Sequence, residues 1–193
     1  IAPNPFYTDE VAKRCIDEIF LPTIKAMKAE GRTFKGCLYF GLMITANGPK
    51  VIEYNCRFGD PETQVVLPLL KSDLLTVMQA VTNGTLKDTK VEFSDECACC
   101  VVMASGGYPG SYENGKEITG LAEANADEAT VVFHAGTKLV DGKTVTAGGR
   151  VLGVTSVDKN IRDARDRAYA AVEKINFDKV FYRKDIAWRA LKR

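Results

Sequence analysis

Histidine and tryptophan each occur once among the 193 residues. With His134 as the lone imidazole, no Ser-His-Asp or Cys-His arrangement is visible that could arm a nucleophile. Charge of one sign is also lacking. Lysine and arginine total 26 against 25 aspartates and glutamates, a formal net charge of +1. That balance gives no electrostatic footprint for nucleic acid or for an anionic membrane surface. No apolar run approaches the roughly 20 residues needed to cross a bilayer, and no secretory h-region opens the sequence. Internal repeats and low-complexity segments are absent as well. The remaining composition is that of an ordinary globular protein, long enough for one or two domains with a sizeable core.

Cysteine is not scarce: Cys15, Cys37, Cys56, Cys97, Cys99 and Cys100 are present. Cys97-Ala98-Cys99-Cys100 invites a metal reading. It has no second ligand pair at zinc-like spacing, and His134 lies far along the chain. Buried, reduced thiols of a cytoplasmic protein are the expected reading.

The segment Val51-Ile52-Glu53-Tyr54-Asn55-Cys56-Arg57 carries the most chemistry. In an extended strand, side chains alternate between faces, so Glu53, Asn55 and Arg57 are expected on one face with Val51. Ile52, Tyr54 and Cys56 would line the other and pack into a core. Carboxylate and amide oxygens suit a hard cation, which in the case of magnesium takes few protein ligands beside phosphates. A guanidinium one step further can fork onto a phosphoryl or carboxylate group. A half-buried strand with a solvated polar face accounts for the same pattern.

The run continues as Arg57-Phe58-Gly59-Asp60-Pro61-Glu62-Thr63-Gln64 and then Val65–Leu74, with Lys71-Ser72-Asp73-Leu74 at its end. Here the sequence closely resembles the phosphoribosylamine–glycine ligase (glycinamide ribonucleotide synthetase) family of the ATP-grasp superfamily. Further matches in family order are Gly36–Met43, Met103–Gly110, Phe133–Thr137, Gly148–Leu152 and Tyr182–Ile186. They span almost the whole chain, and the R-F-G-D-P-E run is the most specific of them.

The pattern of elements is α+β. Thr8 or Asp9 can cap a helix from about residue 10, Pro22 should interrupt or kink it, and Gly31 stops the next stretch. Asn47-Gly48 joins strands at about 35–45 and 49–56 as a hairpin. Helices are expected at 63–70 and 73–82, the second capped by Ser72 or Asp73 and stopped by Gly84. Later come short strands at 97–103, 129–134, 144–146 and 151–157, then one long amphipathic helix over 158–175. The resemblance implies that residues 1–90 are the C-terminal part of an ATP-grasp domain. Residues 91–193 would be the small β-rich domain that follows it. Neither a glycine-rich phosphate loop nor an adenine-contacting segment is found, so the sequence reads as a carboxy-terminal portion, inactive alone.

The activity implied by the resemblance is ATP-dependent ligation of glycine to 5-phosphoribosylamine by way of glycyl phosphate. In that reading Glu53 and Asn55 hold Mg²⁺ or Mn²⁺ against the ATP phosphates, and Arg57 steadies the transferred phosphoryl group. Gly59, Asp60 and Pro61 form a loop near glycine or the ribosylamine, where Asp60 either meets an ammonium group or caps the next helix. Arg150, beside two glycines, is a candidate for a ribose phosphate, with His134 in a neighbouring turn. Arg183 belongs to an ion-pair cluster or a phosphate site, and Trp188 to the core or a domain contact. Many ATP-grasp enzymes carry a further acidic ligand on the preceding strand, and Tyr39–Ile44 has none. Expected partners are these small molecules and the rest of the same enzyme, as a monomer, without nucleic acid or membrane. Two rivals remain: another ATP-grasp carboxylase or ligase, and a non-catalytic scaffold fragment.

Overall fold

A computed structural model describes residues 1–192. In chain order the helices and strands are α1 (Asp9–Cys15), α2 (Leu21–Ala29), β1 (Tyr39–Thr45), β2 (Gly48–Asn55), α3 (Thr63–Val66), α4 (Leu74–Asn83), β3 (Cys97–Ser105), α5 (Leu121–Ala124), β4 (Thr130–His134), β5 (Thr137–Val140), β6 (Lys143–Thr146), β7 (Arg150–Asp158), α6 (Ile161–Val172) and β8 (Val180–Phe181). The mixture is α+β, as expected. The chain packs as two units. One comprises residues 1–3, 61–69 and 94–193; the other comprises residues 4–60 and 70–93.

In the unit of residues 4–60 and 70–93, Thr8 caps α1 by accepting the Val11 N–H. Between α1 and α2 the chain makes a π-helical turn over Ile16–Phe20. Pro22 explains it. Proline has no N–H to donate, and its ring excludes the carbonyl one turn back. The break therefore precedes Pro22, and the axis continues through α2 instead of stopping. β1 and β2 form an antiparallel hairpin whose tip is Asn47-Gly48. Gly48 has a φ of +98°, and a Cβ there would lie 1.9 Å from the Arg14 guanidinium. Arg14 is itself held by Glu18 at 2.7 Å. Asp73 caps α4 through the Thr76 N–H at 2.7 Å, and the Thr76 side chain first, with this N–H second, holds its carboxyl below the ordinary value. Gly84 ends α4 at a φ of +74°.

The other unit is built on a sheet ordered β4-β7-β3-β8. β3 and β7 pair antiparallel along their length, with Val101 opposite Val154 and Met103 opposite Leu152. These four are fully buried among Ala168, Ala171 and Val172 of α6. Asn160 caps α6, accepting the Asp163 N–H at 3.0 Å, so the helix starts later than its periodicity suggests. On the opposite face Ala98 and Cys100 meet Val65 and Leu69. Two strands escaped the sequence reading. β5 is a four-residue, mostly exposed partner of β6, and β8 has only two residues. Short edge segments of this kind have too few alternations to register as strands.

Of the two places expected for Trp188, the core is excluded: the residue is 40% exposed, with Arg189 and Lys192 over its ring. Arg183 is held by Asp185 in a two-pronged pair at 2.8 and 2.7 Å, an ion pair internal to the tail. Among the described residues no helix is long and apolar enough to cross a membrane.

Thr155 is 1% exposed and its hydroxyl has no hydrogen-bond partner, while neighbouring Ser156 shares a 2.7 Å bond with Thr130. Thr155→Val should therefore raise the melting temperature, by roughly 1 kcal/mol of stability, whereas Ser156→Ala should lower it by about as much. Equal destabilisation by both in thermal melts contradicts this.

Arg167 bonds Asp127 at 2.7 Å and Asp158 at 2.8 Å. Its hydrogen bonds are the largest cause holding both carboxyls below their ordinary range. A depressed carboxylate pKa means the unfolded chain binds more protons. The stabilisation is present above about pH 4, the unfolded value, and is lost as pH falls through the lower folded values. Melting temperatures measured across the acid range should fall less steeply in Arg167→Gln than in the parent; superimposable acid limbs would refute the pairing's role.

Candidate active-site residues

The hairpin that ends at Asn55 is packed on one side by aromatic contacts. Phe20 lies 4.4 Å from Phe40 between ring centroids, and Phe40 lies 5.4 Å edge-on from Tyr54. Tyr54 nonetheless remains 52% exposed and Ile52 63%, and Cys56 is also exposed. The core expected beneath this face is therefore not formed by the described residues.

Glu53 and Asn55 stand together as the alternation requires. The Asn55 Nδ2 donates to Glu53 Oε1 at 3.0 Å, which leaves the amide oxygen for another partner. Glu53 is exposed and Asn55 half-buried at the end of the strand. Opposite Glu53 sits Gly41, where a Cβ would lie 2.8 Å from Glu53 Cγ. The place of Gly41 opposite Glu53 is not readable from strand alternation because the pairing slips there. Leu42 faces Val51 and Gly41 faces Glu53, which leaves Ile52 as a bulge. The row that Val51 was expected to begin is broken at that bulge, where an extra residue re-aims the side chains that follow.

Arg57 also departs from the expectation. β2 ends at Asn55, and Arg57 lies in the bend beyond it, so strand alternation does not set its direction. Its guanidinium turns back to donate to the Phe58 carbonyl at 3.1 Å. Gly59 is buried, Asp60 exposed and Pro61 half-buried in the following turn. Glu62 stands at the N-cap of α3 without a side-chain capping bond.

The donor set matches a hard divalent cation. A carboxylate and a carboxamide oxygen, adjacent and accessible, are what magnesium takes when phosphates and water complete its shell.

Within the β-rich unit, His134 is exposed at the end of β4, its Nδ1 3.0 Å from the Thr137 hydroxyl. Arg150 is exposed at the first position of β7. Its carbonyl accepts the Gly136 N–H at 2.9 Å, which ties the His134–Thr137 turn to the Gly148–Arg150 turn.

Two family models match the sequence. The phosphoribosylglycinamide synthetase ATP-grasp (A) domain covers residues 1–63, and the phosphoribosylglycinamide synthetase C domain covers residues 98–189. The chain belongs to this synthetase family. Its sequence is 49% identical over 187 residues to phosphoribosylamine–glycine ligase of Caldanaerobacter subterraneus subsp. tengcongensis, a match covering 97% of this chain and 44% of the relative. It is also 49% identical over 191 residues to the trifunctional purine biosynthetic protein adenosine-3 of Gallus gallus, covering 98% of this chain and 19% of that one. The solved phosphoribosylamine–glycine ligase of Thermotoga maritima superposes with a TM-score of 0.81 at 36% identity, covering 94% of this chain and 44% of that structure. The chain thus spans less than half the length of the single-function relatives it matches.

Proposed function

We propose that this chain carries part of the active site of an ATP-dependent ligase that joins glycine to 5-phosphoribosylamine, yielding glycinamide ribonucleotide, ADP and phosphate. The observation that carries the reading is the Glu53–Asn55 pair, 3.0 Å apart at the exposed end of β2, immediately before the R-F-G-D-P-E turn. Family membership supports it.

The reaction needs two displacements. A glycine carboxylate oxygen attacks the γ-phosphorus, and the bond to the β–γ bridging oxygen breaks as ADP leaves. The ribosylamine nitrogen then attacks the acyl carbon, the carbon–oxygen bond to phosphate breaks, and the nitrogen loses a proton. Such chemistry depends on positioning and on neutralising charge rather than on a protein nucleophile. Glu53 and Asn55 would hold Mg²⁺ or Mn²⁺. When bound, the cation neutralises phosphate charge. Arg57 needs only to exchange its single bond to the Phe58 carbonyl for a phosphoryl oxygen, with its other N–H groups able to fork.

Asp60 is assigned to the ammonium end of glycine or to the ribosylamine. Gly59 and Pro61 shape the turn that holds it. Arg150 is assigned to the ribose 5-phosphate, since a guanidinium matches phosphate oxygens bidentately. Six free cysteines, three of them buried, support a reducing cytoplasmic setting.

The test is a paired substitution in a full-length enzyme carrying this sequence. Glu53→Gln should raise the Mg²⁺ concentration needed for half-maximal turnover while leaving the melting temperature unchanged. Arg57→Lys should lower kcat and kcat/KM together by about a hundredfold, comparable to removing one preorganised donor to a developing anion. If Arg57 merely decorates the turn, lysine would cost almost nothing. Wild-type turnover by both variants at limiting metal rejects the assignment.

A further inference from the structure

The backbone of the Gly148-Gly149-Arg150 turn is held from several sides, with Gly149 buried, Gly148 half-buried and Arg150 exposed. Three consecutive carbonyls each accept a hydrogen bond. The Ser105 hydroxyl donates to Gly148 O at 2.9 Å, the Ser105 N–H to Gly149 O at 2.8 Å, and the Gly136 N–H to Arg150 O at 2.9 Å. Ser105 is 4% exposed at the end of β3, so two of these donors come from the rigid sheet. Gly136 packs from the other side, where a Cβ would lie 2.7 Å from Gly148 Cα.

Tyr108 closes the remaining side. A Cβ on Gly149 would fall 2.1 Å from Tyr108 Cδ2 and 2.6 Å from Cε2, so the ring lies directly on the glycine. The loop that delivers Tyr108 is fixed in turn. The Tyr108 N–H donates to Ser105 O at 3.0 Å. Gly107 has a φ of +100°, and a Cβ there would meet Ser111 O at 2.1 Å. Tyr112 meets the Tyr108 ring edge-on at 6.2 Å. Glycine at 149 costs conformational entropy that any side chain would avoid, and the seating of Tyr108 is what requires it there.

We infer that Ser105 and Tyr108 are positioning residues that lock the backbone of Arg150, so that its guanidinium meets the ribose 5-phosphate of the substrate in one orientation. This rests on the assignment of Arg150 made above. Bidentate recognition of phosphate demands angular precision, because the planar fork loses a bond when the backbone rotates. A loop fixed on three sides supplies that precision, which the exposed arginine side chain does not supply by itself.

The probe is glycinamide ribonucleotide, a stable product that carries the same ribose 5-phosphate, titrated calorimetrically into the full-length enzyme. Arg150→Ala, Tyr108→Ala, Tyr108→Phe and Ser105→Ala are compared, with melting temperatures and the KM values for ATP, glycine and phosphoribosylamine. Tyr108→Ala should weaken glycinamide ribonucleotide binding about tenfold or more, as expected for misplacing a contact group. The KM for phosphoribosylamine should rise in parallel, with the KM for ATP within about twofold. Tyr108→Phe keeps the ring on Gly149 and should restore affinity. Should Tyr108→Ala fail to fold, Ser105→Ala removes a single hydroxyl and should still weaken binding measurably.

Normal affinity in folded Tyr108→Ala and Ser105→Ala, with weakened affinity in Arg150→Ala, overturns the positioning role and leaves the Arg150 assignment standing. Normal affinity in Arg150→Ala overturns that assignment and the inference with it. Equal rises in all three KM values, tracking a lowered melting temperature, also overturn positioning, because they report a structural role alone.

Discussion

A strand presents its side chains alternately to two faces, and that period of two organises both units of this protein. In the β-rich unit it separates Val101, Met103, Leu152 and Val154, which face α6, from Ala98 and Cys100, which face Val65 and Leu69. Nine residues of β3 can therefore serve two cores at once, which is why almost the entire strand is buried. In the hairpin unit the same alternation brings Glu53 and Asn55 side by side. There the outcome is chemical rather than structural: two oxygen-bearing groups at hydrogen-bonding distance on an exposed strand end.

Interruptions of the alternation are as informative as its regular parts. The bulge at Ile52 shifts the register so that Gly41, and not a larger residue, stands opposite Glu53. Any side chain at position 41 would press on Glu53 Cγ. A second irregularity between Met103 and Ala104 precedes the point where Ser105 reaches Gly148 and Gly149. In both places a break in the ladder adjoins residues to which chemistry is assigned, consistent with the way bulges re-aim side chains next to functional positions.

Much of this was legible in the residues. Asn47-Gly48 announced the hairpin, Thr8 and Asp73 announced helix starts, and Gly84 announced a stop, because each acts through neighbours close in sequence. The R-F-G-D-P-E run pointed to the family. What could not be read depends on distant partners or on local exceptions. Arg57 was expected to continue the row of Glu53 and Asn55, but the strand ends two residues earlier and the guanidinium bonds Phe58 O. Ile52 and Tyr54 were expected in a core and are largely exposed, since hydrophobicity states a preference without naming what covers it. The seat of Tyr108 on Gly149 joins residues 41 positions apart, and no local pattern signals it. Trp188 shows the same limit, its ring covered by two cations instead of by core.

The role we propose for the Glu53–Asn55–Arg57 segment is to control the passage of a phosphoryl group to the carboxylate of glycine. The most direct measurement follows oxygen. A full-length enzyme carrying this sequence is given glycine labelled with ¹⁸O in its carboxylate, unlabelled ATP and 5-phosphoribosylamine, and the released inorganic phosphate is analysed by mass. Transfer of a single glycine oxygen to phosphate at each turnover is the expected result, with the other retained in the amide carbonyl. Phosphate free of label, with both glycine oxygens accounted for outside it, would contradict an acyl phosphate and with it the role given to this strand end.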